Sequence, residues 1–225
     1  MGGGVQTNES PRHRVSIEPF RLARFPVTRG EYAAFVDATS RAVPPCWTDA
    51  AFSDRMAPAV GLSWFDAQAY GVWLGVREGF SVGLPTEAQW ECAALGGRDG
   101  VLYPWGDGPP ESLPDYDTRW REGPEPVDRY PSLHPWGFGG LGENVHEWCA
   151  DWYDPNYYSV SPERTPQGPT AGQRRASRGG SWRHAVKVSR CAARSSIPPH
   201  LQYNDYGVRL VIASGARAVE DAGTT

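Results

Sequence analysis

The side chains best suited to covalent chemistry in this sequence are four cysteine thiols, at Cys46, Cys92, Cys149 and Cys191. No two of them form a Cys-x-x-Cys pair, the spacing typical of zinc and redox sites. Arg190 and Arg194 lie near Cys191 and would favour a thiolate nucleophile there. If this segment is a strand, however, side-chain alternation puts Cys191 on the opposite face from both arginines. We therefore interpret Cys191 as a buried structural thiol and keep it only as a secondary catalytic candidate.

Two further motifs lack the surroundings that their chemistry needs. Gly137, Gly139 and Gly142 match the dinucleotide-binding pattern, which requires a strand before it and a helix after it. Here the glycines follow PSLHPW, so a tight turn is the better interpretation. His146-Glu147 begins like a zinc-protease helix, but Ala150 stands where the second histidine belongs.

The composition argues against two classes of partner. The chain has 225 residues, of which 40% are hydrophobic and 21% charged, as in a folded globular domain. Its net charge is −4 and Lys187 is its only lysine, so no basic run favours nucleic acid or an anionic membrane. We find no secretory pattern and no apolar run that could span a bilayer. We therefore predict a cytoplasmic protein with free thiols, although four cysteines would also allow two disulfides in three connectivities.

The elements that must position any site are predicted from capping signals and alternation. Three helices should each begin at a capping box, in which a hydroxyl residue precedes a polar acceptor by three positions. The boxes are Thr28-x-x-Glu31, Ser63-x-x-Asp66 and Thr86-x-x-Gln89. Gly79 and Gly96 are placed to end the second and third helices. Strands are predicted at residues 14–20, 147–153, 178–182, 189–194 and 208–213.

Helices early and short strands late, with much ordered loop between them, indicate an α+β fold. We predict one domain over residues 11–213. The flanking segments, residues 1–10 and 214–225, are small, polar and unpatterned, and we predict that both are flexible tails.

Several unusual strings occur together and in order along the chain. They are PRHRVSIEPF, PVTRGEYAAFV, VGLSWFDAQAYGVWL, LPTEAQWECAALGG, YPWGD, ENVHEWCADWY, RGGSW, RCAARS and YGVRLV. As a set they resemble the formylglycine-generating enzyme, or sulfatase-modifying factor, family over about residues 11–213. The resemblance implies a variant of the C-type-lectin-like fold with few short helices and strands.

The resemblance also implies where catalysis should be, and the required residues are missing. In the enzyme, two cysteines shortly after the RGGSW motif bind copper(I), and soft thiolates are what that ion prefers. Between RGGSW and RCAARS this chain reads RHAVKVSR, without a cysteine, and His184 sits where the first cysteine would fall. One imidazole does not hold copper(I) against cellular thiols, so we do not expect copper.

The calcium sites that the resemblance implies are matched only in part. Glu147 matches one ligand position, but Gly140 stands where the family supplies an Asp or Asn side chain. Asp115 and Asp117 resemble ligands of a second site. Because Ca²⁺ prefers several oxygen ligands with negative charge, each loss weakens a site.

The remaining feature that the resemblance implies is a cleft for an extended peptide. Ser181 and Arg194 look like structural members of the family motifs around it. The matching candidates here are Ser181, Trp182, Arg183, His184, Lys187, Arg194, Ser195, Tyr203 and Asn204. The sequence thus favours a binding module for a peptide segment or partner protein.

Two other functions stay open. One is an oxidoreductase, either a formylglycine generator with an unusual site or a non-copper metal oxygenase near His184. The other is a hypervariable recognition protein, since this fold also displays diversified surfaces near the C-terminus. The residues suited to that role are His200, Tyr203, Asn204, Asp205 and Tyr206.

Overall fold

Each of the three predicted capping boxes begins a helix. Thr28, Ser63 and Thr86 each accept an N–H from the third helical residue, whose own side chain bonds back to the cap. The helices are α1 (Arg29–Thr39), α2 (Trp64–Glu78) and α3 (Glu87–Leu95). Gly79 and Gly96 end α2 and α3 in the left-handed conformation, as predicted. The computed structural model describes residues 1–116, 123–183 and 188–217.

Two sheets join distant parts of the described chain. The strands are β1 (Phe20–Leu22), β2 (Phe80–Gly83), β3 (His146–Trp152), β4 (Arg175–Arg178), β5 (Ser195–Ile197), β6 (Tyr206–Gly207) and β7 (Val211–Arg217). The first sheet has the order β1-β7-β2 and is antiparallel. The second has the order β5-β4-β3-β6, in which only β3 and β6 pair in parallel. This arrangement confirms the α+β class.

The main core lies between α1, α2 and the two sheets. Tyr32, Phe35 and Tyr70 pack ring against ring, with centroids 5.3–5.6 Å apart. Trp148 on β3 joins this cluster and is fully buried. Trp90 on α3 is also fully buried and forms a second cluster with Cys149 and other residues.

Three of the predicted strands differ from the structure. Within residues 14–20 only Phe20 belongs to a strand, and Ser16 forms an isolated bridge to Arg164. The strand predicted at residues 178–182 lies earlier and ends at Arg178, because Gly179 turns the chain with φ +77°. Residues 189–194 form bends, one turn and irregular backbone, and they contain no strand. Arg190 and Arg194 are both buried against carboxylates, so charged side chains do not alternate outward as in a half-buried strand.

The predicted flexible tail at residues 1–10 packs against the domain instead. Glu9 is fully buried, and its two carboxylate oxygens accept from the Arg190 guanidinium at 2.6 and 2.9 Å. A buried guanidinium needs a carboxylate partner, and this segment supplies it. At the other end β7 continues through Arg217, so four residues of the predicted second tail belong to a strand. The rest of that tail, residues 218–225, lies outside the described residues.

Within the described ranges no helix combines the length and apolarity needed to cross a bilayer.

Candidate functional site

The turn that follows β4 lies beside the segment that leads into β6. Ser181 Oγ donates to Asp205 Oδ2 at 2.9 Å, and both residues are buried. The Arg183 guanidinium donates to Asn204 Oδ1 at 2.9 Å and reaches to 4.0 Å from Asp205. These contacts fix the two segments side by side.

Trp182 is the centre of this arrangement. Its backbone N–H donates to the Asn144 carbonyl at 2.9 Å, and its indole N–H donates to the Asn204 carbonyl at 3.3 Å. Its ring lies 6.0 Å from the Phe52 ring, in a small apolar cluster that also contains Val60 and the half-buried Cys46. Nothing in the sequence linked Phe52 to this site, because 130 residues separate it from Trp182.

We call Trp182, Arg183, Tyr203 and Asn204 the Trp182 surface. The Arg183 side chain is 49% exposed and Tyr203 is 46% exposed, so both residues are accessible from solvent. The Arg183 guanidinium lies 5.7 Å from the Trp182 ring centre. Indole, guanidinium, phenol and amide groups are the side chains enriched where proteins bind other chains.

Two other groove candidates do not belong to this surface. The Arg194 guanidinium is buried, donates to both Glu87 carboxylate oxygens at 2.7 and 3.0 Å, and stacks 4.0 Å from the Tyr158 ring centre. Ser195 lies on β5, where its hydroxyl is 3.4 Å from that of Tyr206. His184 and Lys187 lie outside the described residues.

The thiols are not arranged as nucleophiles or as a copper site. Burial, with the Glu91 charge second, raises the pKa of Cys191 to about 12, and burial raises the pKa of Cys149 well above its usual value. Cys46 and Cys92 are half-buried, and burial raises the pKa of each. Copper(I) requires deprotonated soft ligands, so these residues do not fit that ion. In the described ranges no three His, Cys, Asp or Glu side chains are grouped to hold a metal.

The calcium candidates are engaged by protein groups. Both carboxylate oxygens of Glu147 accept from the Arg209 guanidinium at 2.7–3.0 Å, and Oε2 also accepts the Trp90 indole N–H at 2.6 Å. A fixed guanidinium thus takes the place that a cation would need. Asp115 accepts the Tyr130 hydroxyl at 2.7 Å, and Asp117 lies outside the described residues.

Buried ion pairs hold the motif strands in place behind the site. The Arg178 guanidinium at the end of β4 is fully buried, pairs with Glu91, and lies 3.1 Å from Glu87. It also donates to the carbonyls of Cys191 and Ala193 at 2.9–3.0 Å. Because α3 carries both glutamates, this network fixes β4, and therefore the turn after it, against α3.

Asp151 is a buried acid at the N-terminus of α3 that the sequence did not reveal. Its carboxylate accepts the Glu87 backbone N–H at 2.8 Å. Burial, with the neighbouring Glu87 charge second, raises the pKa of Asp151 to about 7. Burial opposes the charge of Glu87 itself, but Arg194 and Arg178 outweigh it and lower that pKa.

We expect the free energy of unfolding to fall as pH rises toward 8, because Asp151 binds its proton more tightly in the folded chain than in the unfolded one. The stabilisation is complete at acid pH and is lost as pH rises through the folded pKa of about 7. Glu87 titrates below this window. Between pH 5.5 and 8 the free energy of unfolding of the wild type should fall by about 2 kcal/mol because of this group. The Asp151→Asn variant should not show that fall. Urea unfolding at both pH values measures the difference. Equal pH profiles for the two proteins would contradict the assignment.

Comparison with known proteins agrees with this architecture. Residues 1–214 match the family model described as a sulfatase-modifying factor enzyme 1-like domain. The formylglycine-generating enzyme of Streptomyces coelicolor is 34% identical over 89% of this chain and 80% of its own. The chain therefore belongs to the sulfatase-modifying factor family, and the resemblance found in the motifs is confirmed.

Two further proteins are similar to this chain over most of its length. The protein named serine/threonine-protein kinase pkn1 of Chlamydia caviae is 30% identical over 91% of this chain. The chain spans 34% of the length of that relative. Among solved structures, PvdO from Pseudomonas aeruginosa has a TM-score of 0.81 at 24% identity, covering 95% of this chain and 90% of its own. This likeness supports the predicted fold.

Proposed function

We propose that this chain is a binding module that holds a peptide segment or partner protein on the Trp182 surface, without copper-thiolate oxidation. The observation that carries this function is that Trp182 and Arg183 are partly exposed and held in one position. Both side chains donate to Asn204, and the guanidinium also lies 4.0 Å from the buried Asp205 carboxylate. Groups held in one geometry before binding lose less entropy when a partner arrives.

The surface offers complementary contacts for an extended chain. The partly buried indole gives an apolar face for a side chain of the partner, and aromatic residues often anchor such interfaces. Among the described residues the Arg183 guanidinium donates one hydrogen bond, to Asn204, and lies 4.0 Å from Asp205. Its five N–H donors therefore suit it to a further carbonyl or carboxylate. The Tyr203 phenol adds adaptable hydrogen bonding at the edge.

The state of the thiols supports binding over oxidation. Copper(I) chemistry of the family type needs two accessible thiolates, and residues 183–190 contain no cysteine. Cys149 and Cys191, the buried pair that share one apolar cluster, have raised pKa values and less than 2% exposure. Neither thiol meets the requirement for an accessible ligand.

The binding function is tested with a displayed library of random 12-residue peptides selected on the whole chain. We expect selected peptides to bind the wild type and to lose at least tenfold in affinity for Trp182→Ala, because interface tryptophans commonly contribute more than 1.4 kcal/mol. Trp136→Ala is the matched control, since Trp136 is exposed and forms no part of the surface. Peptides that bind Trp182→Ala as well as wild type would contradict the assignment.

A further inference from the structure

A second concave feature lies apart from the Trp182 surface. It is a groove of about 370 Å³ between the β1-β7-β2 sheet and α2, and no residue of the Trp182 surface lines it. We call it the α2 groove. Cavities of this size hold ligands of one or two rings, since a 150 Å³ apolar cavity already accepts benzene.

Regular structure sets the shape of this groove. Arg21, Ile212 and Val82 are directly paired across the three strands, so their side chains share the sheet face that forms the floor. Tyr70 and Leu74 are four residues apart on α2, and Glu78 follows at the same spacing, so these three form one wall. Its lining is mainly apolar, like that of small-molecule sites.

Tyr70 presents a polar group to the groove. The residue is only 3% exposed and lines the groove, and its hydroxyl has no hydrogen-bond partner in the described part of the chain. This hydroxyl oxygen does not belong to the fully buried polar atoms, so it is open to solvent where it lines the groove. A bound molecule that hydrogen-bonds this hydroxyl would take the place of solvent there.

Carboxylates outnumber guanidinium groups along the lining. Glu31 and Glu78 line the groove, against Arg21 on the strand side. Glu31 uses Oε2 for the α1 capping box, and Glu78 uses Oε1 for Arg77, which leaves one oxygen of each carboxylate for another donor. Burial first, and then the charge of Glu31, raise the pKa of Tyr70.

We propose that the α2 groove binds a small molecule with an apolar ring body and one ammonium group. The body packs on Leu74, Val82 and Ile212. The ammonium donates to the Tyr70 hydroxyl and lies against the free carboxylate oxygens of Glu31 and Glu78. This site is additional to the proposed peptide surface and does not depend on it.

Tryptamine is the probe that tests this site. Indole-3-propionate is the control, because it has the same indole ring but carries a carboxylate in place of the ammonium group. By isothermal titration of the whole chain, we expect tryptamine to bind at least tenfold more tightly than the propionate. Tyr70→Phe should weaken tryptamine about fivefold to tenfold, since one hydrogen bond to a charged group is lost. Its Tm should stay equal to that of the wild type or rise, because the hydroxyl bonds to no protein group within the described residues.

Two further variants separate the groove from the rest of the surface. Ala23→Phe fills the lining from a half-buried position and should abolish binding, whereas Val76→Phe, on the exposed side of α2, should not change it. The proposed site is wrong if wild type does not bind tryptamine, if the propionate binds equally, or if Ala23→Phe retains affinity. It is also wrong if Tyr70→Phe lowers the Tm, since the hydroxyl would then be structural.

Discussion

Replacing Glu147 by glutamine is expected to lower the free energy of unfolding by about 3–5 kcal/mol, the usual cost of removing one partner from a buried ion pair. The carboxylate and the Arg209 guanidinium are both fully buried and share three contacts of 2.7–3.0 Å. Glutamine keeps the shape and an acceptor for the Trp90 indole, so the main loss is the charge that balances Arg209.

Urea unfolding measures this effect, and the chain offers a matched control. Glu78 pairs with Arg77 at 2.7 Å, but both side chains are about half exposed, so Glu78→Gln should cost no more than about 0.5 kcal/mol. If Glu147→Gln were as stable as Glu78→Gln, Glu147 would be free for another role, and the calcium interpretation would regain its ligand.

Arg178→Met is expected to destabilise the chain by at least about 3–5 kcal/mol, because it leaves Glu91 and Glu87 buried with less positive charge. Methionine fills much of the same volume, so the loss reports charge and hydrogen bonds and not an empty cavity. The carbonyls of Cys191 and Ala193 also lose their donor. Glu87 retains Arg194, which limits the damage at that carboxylate.

The same variant should change how stability depends on acid. In the wild type the lowered pKa of Glu87 contributes stability that is present above its unfolded pKa and is lost as pH falls through the folded value. The Arg178→Met variant loses one of the two guanidinium groups that lower the pKa of Glu87. The free energy of unfolding of this variant should therefore fall less steeply between about pH 5 and pH 3 than that of the wild type. Thermal unfolding across this range gives the comparison, with Arg77→Met as the exposed control. Parallel curves for Arg178→Met and wild type would contradict the coupling.

Local signals in the sequence predicted the helices well. Each capping box needs only residues three positions apart, and the terminal glycines act through their own φ, so α1, α2 and α3 begin where the pattern indicates. Strand positions were less accurate, because pairing depends on distant partners. Residues 14–20 alternate as a strand does, but they pair with another segment only through the isolated Ser16 bridge and at Phe20. The strand predicted at residues 178–182 ends at Arg178 because Gly179 turns the chain.

Sequence reasoning identified only those residues of the candidate site that belong to a recognisable motif or follow one closely. Trp182, Arg183 and Asn204 were named from the sequence and lie together in the structure. Phe52 was missed because contacts between residues far apart in the chain leave no periodic signal. The sequence placed Arg194 near the cleft, but the structure buries its guanidinium. The reason is Glu87 on α3, which lies far away in the chain and pairs with Arg194.

This chain keeps the scaffold of its family, and we propose that it does not carry out the copper-thiolate reaction. Mass spectrometry of a substrate peptide distinguishes the two possibilities. The protein is loaded with copper(I) and incubated in air with a peptide containing Cys-x-Pro-x-Arg, the substrate motif that the family resemblance implies. The formylglycine-generating enzyme of Streptomyces coelicolor serves as positive control. We predict that the peptide cysteine remains unchanged with this protein. Conversion of that cysteine to an aldehyde, above the level seen with copper(I) alone, would contradict the claim.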